Sequence, residues 1–364
     1  MLSRRAVLSG LASASSFAGA SWADAGAPSH ITAAQERDQT FSLCGLRQDG
    51  GLAFRIPLPG RGHAAAAHPG MPEVVAFARR PGRYGIVLDC IDGHVIQQIE
   101  APPGRHFFGH GAFSADGTHL FTTENAYETG EGKIGVWSRS KEYVRAGEFA
   151  SGGIGPHEII RIPGTERLAI ANGGIRTHPA TGREKLNLDT MRPNLSIVSQ
   201  DGRILDVAEV PEDSRQNSLR HIAALPNGLV ACAFQWQGDT YDAPSLLALS
   251  VNGGALSYVD LPTALHRAMT GYAGSVAFTA GGQRIGITSP RGGVLGIVDA
   301  HGSAVDIVHQ PDICGIAPSA TGMIATDGLG GVVGITNTFT RLSTHPVAFD
   351  NHLVRIEQQG TLGT

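Results

Sequence analysis

Four histidines hold the same place in a recurring eight-residue frame. They are His63 in HAAAAHPG, His110 in HGAFSADG, His157 in HEIIRIPG and His221 in HIAALPNG, each seven positions ahead of a glycine. Imidazoles gathered on one axis would suit a divalent transition metal such as iron, copper or zinc, whereas calcium and magnesium take oxygen ligands. A shorter unit, HPVAFDN, begins at His345, turns at Asp350-Asn351 and supplies a fifth candidate ligand. Two more units, SVAFTAGG from Ser275 and GIAPSATG from Gly315, keep the frame without the histidine. His68, His94, His106, His119, His266, His301, His309 and His352 fall outside the frame and read as surface or turn residues.

Such a site exists only if the fold brings the units together. The stretch from Phe107 to Trp137 shows one unit in full. Strands are predicted over His110–Ser114, His119–Thr123 and Lys133–Trp137, with an Asp116-Gly117 turn and a polar loop at Glu124-Asn125. Further strand pairs, such as Tyr84–Asp89 with His94–Glu100, bring each unit to four short strands. Seven units at intervals of about 30 to 65 residues predict an all-β, seven-bladed β-propeller. The last unit has two strands of its own, His345–Phe349 and about Leu353–Glu357. An N-terminal hairpin, Phe41–Arg47 and Leu52–Pro57, is expected to complete that blade and close the ring. The propeller domain then spans 38–364, behind a linker at 26–37 and a leader at 1–25. A lone histidine in such a fold reads as structural, as in WD-type propellers. Four in one frame, absent from two other blades, point to a metal or ligand site.

The first strand of each blade lines the channel, and the second returns to the same face. Glu124, Asn125, Asn172 and Asp327 at second-strand ends are therefore expected around the histidines, with Glu124 accepting from a ligand imidazole. The long insertion after the second strand of blade three, 173–193, carries Arg176, His178 and Arg183, which could cap the site or admit an anion.

Composition narrows the classes. The chain has 364 residues, 49 of them Gly and 20 Pro, and only 16% charged, a mixture that favours many short strands joined by turns. A net charge of −4 without a basic stripe argues against nucleic acid as a partner. Ser3-Arg4-Arg5 followed by a short apolar run and Ala23-Asp24-Ala25 resembles a twin-arginine leader, with Ser21-Trp22-Ala23 as an alternative cut. No other segment approaches the roughly 20 apolar residues of a membrane span, so a soluble periplasmic protein is expected. Cys44, Cys90, Cys232 and Cys314 show no metal or haem spacing; a Cys44–Cys90 disulfide and buried free thiols both fit. There is no GxSxG elbow, no phosphate loop in strand-to-helix context, and too few aromatics, at 6%, for a sugar groove.

The motifs FFGHGAFSADG, TEN, GPHEI, NGGIRTHP, GREKLNLDTMRPNLS, LRHIA and FDNHL resemble the domain-of-unknown-function 1513 family of exported bacterial proteins, over essentially the whole mature chain. That resemblance implies a setting beside imelysin-type and di-haem peroxidase-like proteins, hence periplasmic iron handling, with iron the first expected metal and copper the second. It carries no catalytic residues over. The leading expectation is a metal-binding protein of iron acquisition. The alternatives are a histidine-ligated iron or copper oxidoreductase, like carotenoid oxygenases or nitrous oxide reductase in outline, and a metal-free interaction scaffold.

Overall fold

In blade one the second strand, Glu73–Ala78 (EVVAFA), is buried along its whole length, whereas the outermost, Val95–Glu100 (VIQQIE), is mostly exposed. Inner strands have a neighbouring blade on each face and must be apolar on both; an outer strand meets water. The same gradient recurs around the molecule. In this computed structural model the described residues, 19–79, 83–299 and 303–357, form seven four-stranded antiparallel sheets. The innermost strands are Gly62–Ala67, Arg105–Phe113, Pro156–Arg161, Asn217–Ala224, Ser275–Phe278, Ile313–Pro318 and Val347–Arg355. Each touches the next, and the seventh touches the first, so the ring is closed. The core is a set of layers between blades. Phe121 and Ile134 of blade two, for example, pack against Ile159, Leu168, Ile170 and Val198 of blade three.

The ring closes with a different division of strands from the one expected. The C-terminus contributes one strand, Val347–Arg355, and the N-terminus three, His30–Glu36, Phe41–Leu46 and Leu52–Leu58. Residues 30–36, expected within a linker, are therefore a strand paired directly to the C-terminal one. Asp350-Asn351 is not a turn. The Asp350 carboxylate accepts from Arg61 Nε at 2.8 Å and Arg79 Nη1 at 3.2 Å, which holds the pair as a bulge inside one long strand.

Residues 1–18 lie outside the described residues, so the twin-arginine segment is not seen. Trp22 and Ala25, expected to leave with the leader, are packed in the core beneath blades one and seven. The Trp22 indole N–H donates to the His68 carbonyl at 3.0 Å. All four cysteines are buried free thiols, so Cys44 and Cys90 do not pair; burial pushes the Cys44 thiol up to about 11. Among the described residues no helix is long and apolar enough to cross a membrane.

Candidate metal centre

Each histidine that reaches the channel sits at a break in its strand's pairing. Pairing jumps from Gly62 to Ala65 around His63, from Phe107 to Gly111 around His110, and from Pro156 to Glu158 past His157. It jumps from Leu219 to His221 past Arg220, and the C-terminal strand loops out over Asp350, Asn351 and His352. A β-bulge puts an extra residue into one strand and re-aims its side chains, which turns these rings toward the axis. Gly109, at φ +98°, lets the rings close up: a Cβ there would lie 2.6 Å from Cδ2 of His63. Blade five pairs without a break and presents Ser275, and blade six presents Gly315.

The result is a five-imidazole cluster of His63, His110, His157, His221 and His352. Ring centroids are 4.5 Å apart for His63–His352 and His110–His352, and 4.9–5.0 Å for His110–His157, His63–His110, His157–His221 and His221–His352. Longer separations are 5.9, 6.2 and 6.5 Å, for His63–His157, His110–His221 and His157–His352. Metal–nitrogen bonds of about 2.0–2.1 Å put imidazole centroids about 3.2 Å from an ion, so cis pairs stand about 4.5 Å apart and trans pairs about 6.4 Å. The observed separations cover that range. The spacings suit rings gathered about one ion, and His63, His110 and His157 are three whose donor atoms already lie close enough together to share it.

Protonation and hydrogen bonding agree with a ligand role. Burial pushes His110, His157 and His352 well below the usual imidazole range, helped for His110 and His352 chiefly by the neighbouring rings and for His157 first by Arg220. All three are thus neutral, the ligand form, at neutral pH. His157 Nδ1 stands 3.1 Å from the Arg220 carbonyl, which can only accept, so Nδ1 carries the hydrogen and Nε2 has the free lone pair. His110 Nε2 is buried with no hydrogen-bond partner among the described residues. Leaving such a group unmet costs about 1–3 kcal/mol, and a metal ion would meet it. One donor atom each from His63, His110 and His157 lie within 4.8 Å of one another, as do those of His110, Glu158 and His352.

His345 is not part of the cluster. Its Nε2 lies 2.9 Å from both the Gly50 carbonyl and Ser343 Oγ, fastening the end of blade six to the N-terminal hairpin turn. The frame had slipped by seven residues, because the inner strand runs through the Asp350 bulge instead of turning there. A signal was present: His352 is followed by Leu-Val-Arg-Ile and by Gly360, one position later than in the other units. His345→Ala is expected to destabilise the fold by about 1 kcal/mol and leave metal uptake unchanged, read by denaturant unfolding and metal analysis. His106 is also buried rather than superficial, stacked on Tyr127. His301 lies outside the described residues.

The residues expected around the histidines serve the blades instead. Glu124 is fully buried and accepts from Arg145 Nη1 and Nη2 at 2.7 and 2.9 Å, and from Thr122 Oγ1 at 3.1 Å. Asn172 bonds Asn194 and Ser196 of blade three and Ser151 in the link from blade two. Asp327 accepts from the Leu329 and Gly331 amides, Gln310 and Arg341. Asn125 donates to the Thr177 carbonyl, tying down the 173–193 insertion. Within that insertion the Arg176 amide donates to Asn187, while His178 caps a turn at Ala180 and faces Glu128 at 3.4 Å. The reason is distance: a second strand lies about 4.8 Å outside the first, so its end opens onto the blade's own turns. The acid near the rings is Glu158, which the sequence reading passed over.

Among solved structures the chain is similar to hydrazine synthase of Kuenenia stuttgartiensis, with 13% identity and a TM-score of 0.61, over 87% of this chain and 95% of that one. At that identity the likeness is one of fold. No curated protein matches the sequence. The family described as "Protein of unknown function (DUF1513)" matches residues 56–356, and the chain belongs to that family.

Proposed function

We propose that this is an exported metal-binding propeller that holds a transition metal ion, iron first and copper second, within its channel and serves iron acquisition or handling in the periplasm. The observation that carries the reading is the cluster of His63, His110, His157, His221 and His352, in which burial holds His110, His157 and His352 well below the usual imidazole range and the buried Nε2 of His110 has no hydrogen-bond partner among the described residues. Imidazole donors suit iron, copper or zinc. The preference for iron, and for partners such as imelysin-type and di-haem peroxidase-like proteins, comes from the family resemblance. The resemblance of residues 1–25 to a twin-arginine leader supports export in a folded state.

A binding role fits the geometry better than turnover. Blades five and six supply no imidazole, yet His221 and His352 stand only 5.0 Å apart across them. Five rings then face one axis, more than the three protein ligands that a catalytic zinc keeps beside its open position. The test is metal analysis of protein exported by its own leader. About one equivalent of iron or copper is expected; under about a tenth of an equivalent of any transition metal, with no anaerobic uptake, ends the proposal. Turnover of O₂ or peroxide by the loaded protein would move the reading to an oxidoreductase.

A further inference from the structure

We propose that Glu158 is the positioning residue of the metal centre: its carboxylate accepts from the Nδ1–H groups of His110 and His221, presenting Nε2 of both rings to one ion. The inference rests on the metal-binding reading above and adds a residue to it. Three distances place the carboxylate. Oε1 lies 3.7 Å from His110 Nδ1, Oε2 lies 3.5 Å from His221 Nδ1, and the Ile222 amide donates to Oε2 at 2.8 Å. One side chain thus spans rings from blades two and four while being held by the backbone of blade four.

The strand bulge makes this possible. Consecutive residues of an unbroken strand point to opposite faces, so His157 and Glu158 could not both serve one site. The extra residue inserted between Pro156 and Glu158 removes that restriction. The Arg220 carbonyl holds His157 by its Nδ1 in the same manner. Three rings are therefore approached from the Nδ1 side; the buried nitrogens left without a hydrogen-bond partner are Nε2 of His110, which faces away from Glu158, and Nδ1 of His221, which has Glu158 as its nearest acid. At 3.5–3.7 Å the Glu158 contacts are longer than hydrogen bonds and shorten by the sub-ångström ring movements that binding an ion requires. The carboxylate also places a negative charge beside a cation, which favours the higher oxidation state of a redox-active metal.

The test uses Glu158→Gln in the full chain. Glutamine keeps an oxygen for the Ile222 amide but offers N–H in place of a second acceptor. Cobalt(II) titration against a competing chelator should show affinity about 10- to 100-fold weaker than wild type. With iron bound, the midpoint potential should move to a more positive value, which a merely structural role would not produce. Should the variant fold poorly, long-range proton–nitrogen correlation on the zinc-loaded wild type reads the tautomers directly: His110 and His221 should be protonated at Nδ1. Wild-type uptake with Glu158→Gln affinity within threefold and an unmoved potential overturns the inference, as does protonation at Nε2 of those rings. Wild type that takes up no metal overturns the metal reading itself, a distinguishable outcome.

Discussion

Replacing His110 and His157 together by alanine should abolish metal uptake while the propeller stays folded. A structural zinc site with all its ligands contributes about 10–16 kcal/mol, so deleting two donors should weaken binding more than a thousandfold. Folding should survive, because the bulges are made by strand pairing, His110 Nε2 has no hydrogen-bond partner among the described residues, and the double variant gives up one ring contact to a backbone carbonyl, that of His157 with Arg220. Metal at a hundred times Kd stabilises the wild type by about 2.7 kcal/mol, a melting shift of a few degrees in a domain this size. The double variant should show no such shift. Unfolding of the variant in the absence of metal would instead make the histidines structural, and a retained metal-dependent shift would place the ion elsewhere.

Glu124→Ala should do the reverse, destabilising the fold by about 3 kcal/mol while leaving metal stoichiometry intact. Removing one partner of a buried ion pair costs about 3–5 kcal/mol because the other charge stays desolvated. Arg145 keeps a second acceptor in Glu148 at 2.9 Å, which puts the expected loss at the low end. The change also removes the acceptor of Thr122, which in turn receives the Trp137 indole N–H at 2.9 Å. Denaturant unfolding measures the loss, and metal analysis checks the site. A variant that unfolds like wild type but binds metal poorly would restore Glu124 to the site. Glu124 and Glu158 thus form an opposed pair, one acid holding a blade together and the other orienting ligands.

Much of the architecture was legible because strand residues obey local rules. Turn glycines, apolar runs of four to eight residues and a repeated frame mark seven units without any knowledge of contacts. The four framed histidines could be picked out for the same reason, since equivalent positions in repeats reach equivalent places in the ring. The frame failed where a non-local contact intervened. Asp350-Asn351 has the composition of a turn, and only Arg61 and Arg79, some 270–290 residues away, make it a bulge. That single difference exchanges His345 for His352. Glu124, Asn172 and Asp327 were traced to the correct strand ends, but polar groups there are claimed by the nearest unsatisfied donors, which belong to the blade.

The sequence alone determined the all-β propeller, its seven units, and four of the five imidazoles on its axis. Period and turn chemistry are properties of short segments, and closing such a repeat into a ring places one residue type on one axis. Only the tertiary structure decided which way the rings face, which acid attends them and how the ring is sealed. A bulge depends on the register between two strands, so it cannot be read from either alone. Glu158 reaches His110 and His221 only because blades two, three and four converge on the channel. The fifth histidine enters because three N-terminal strands pair with one C-terminal strand, a match between chain ends more than 300 residues apart.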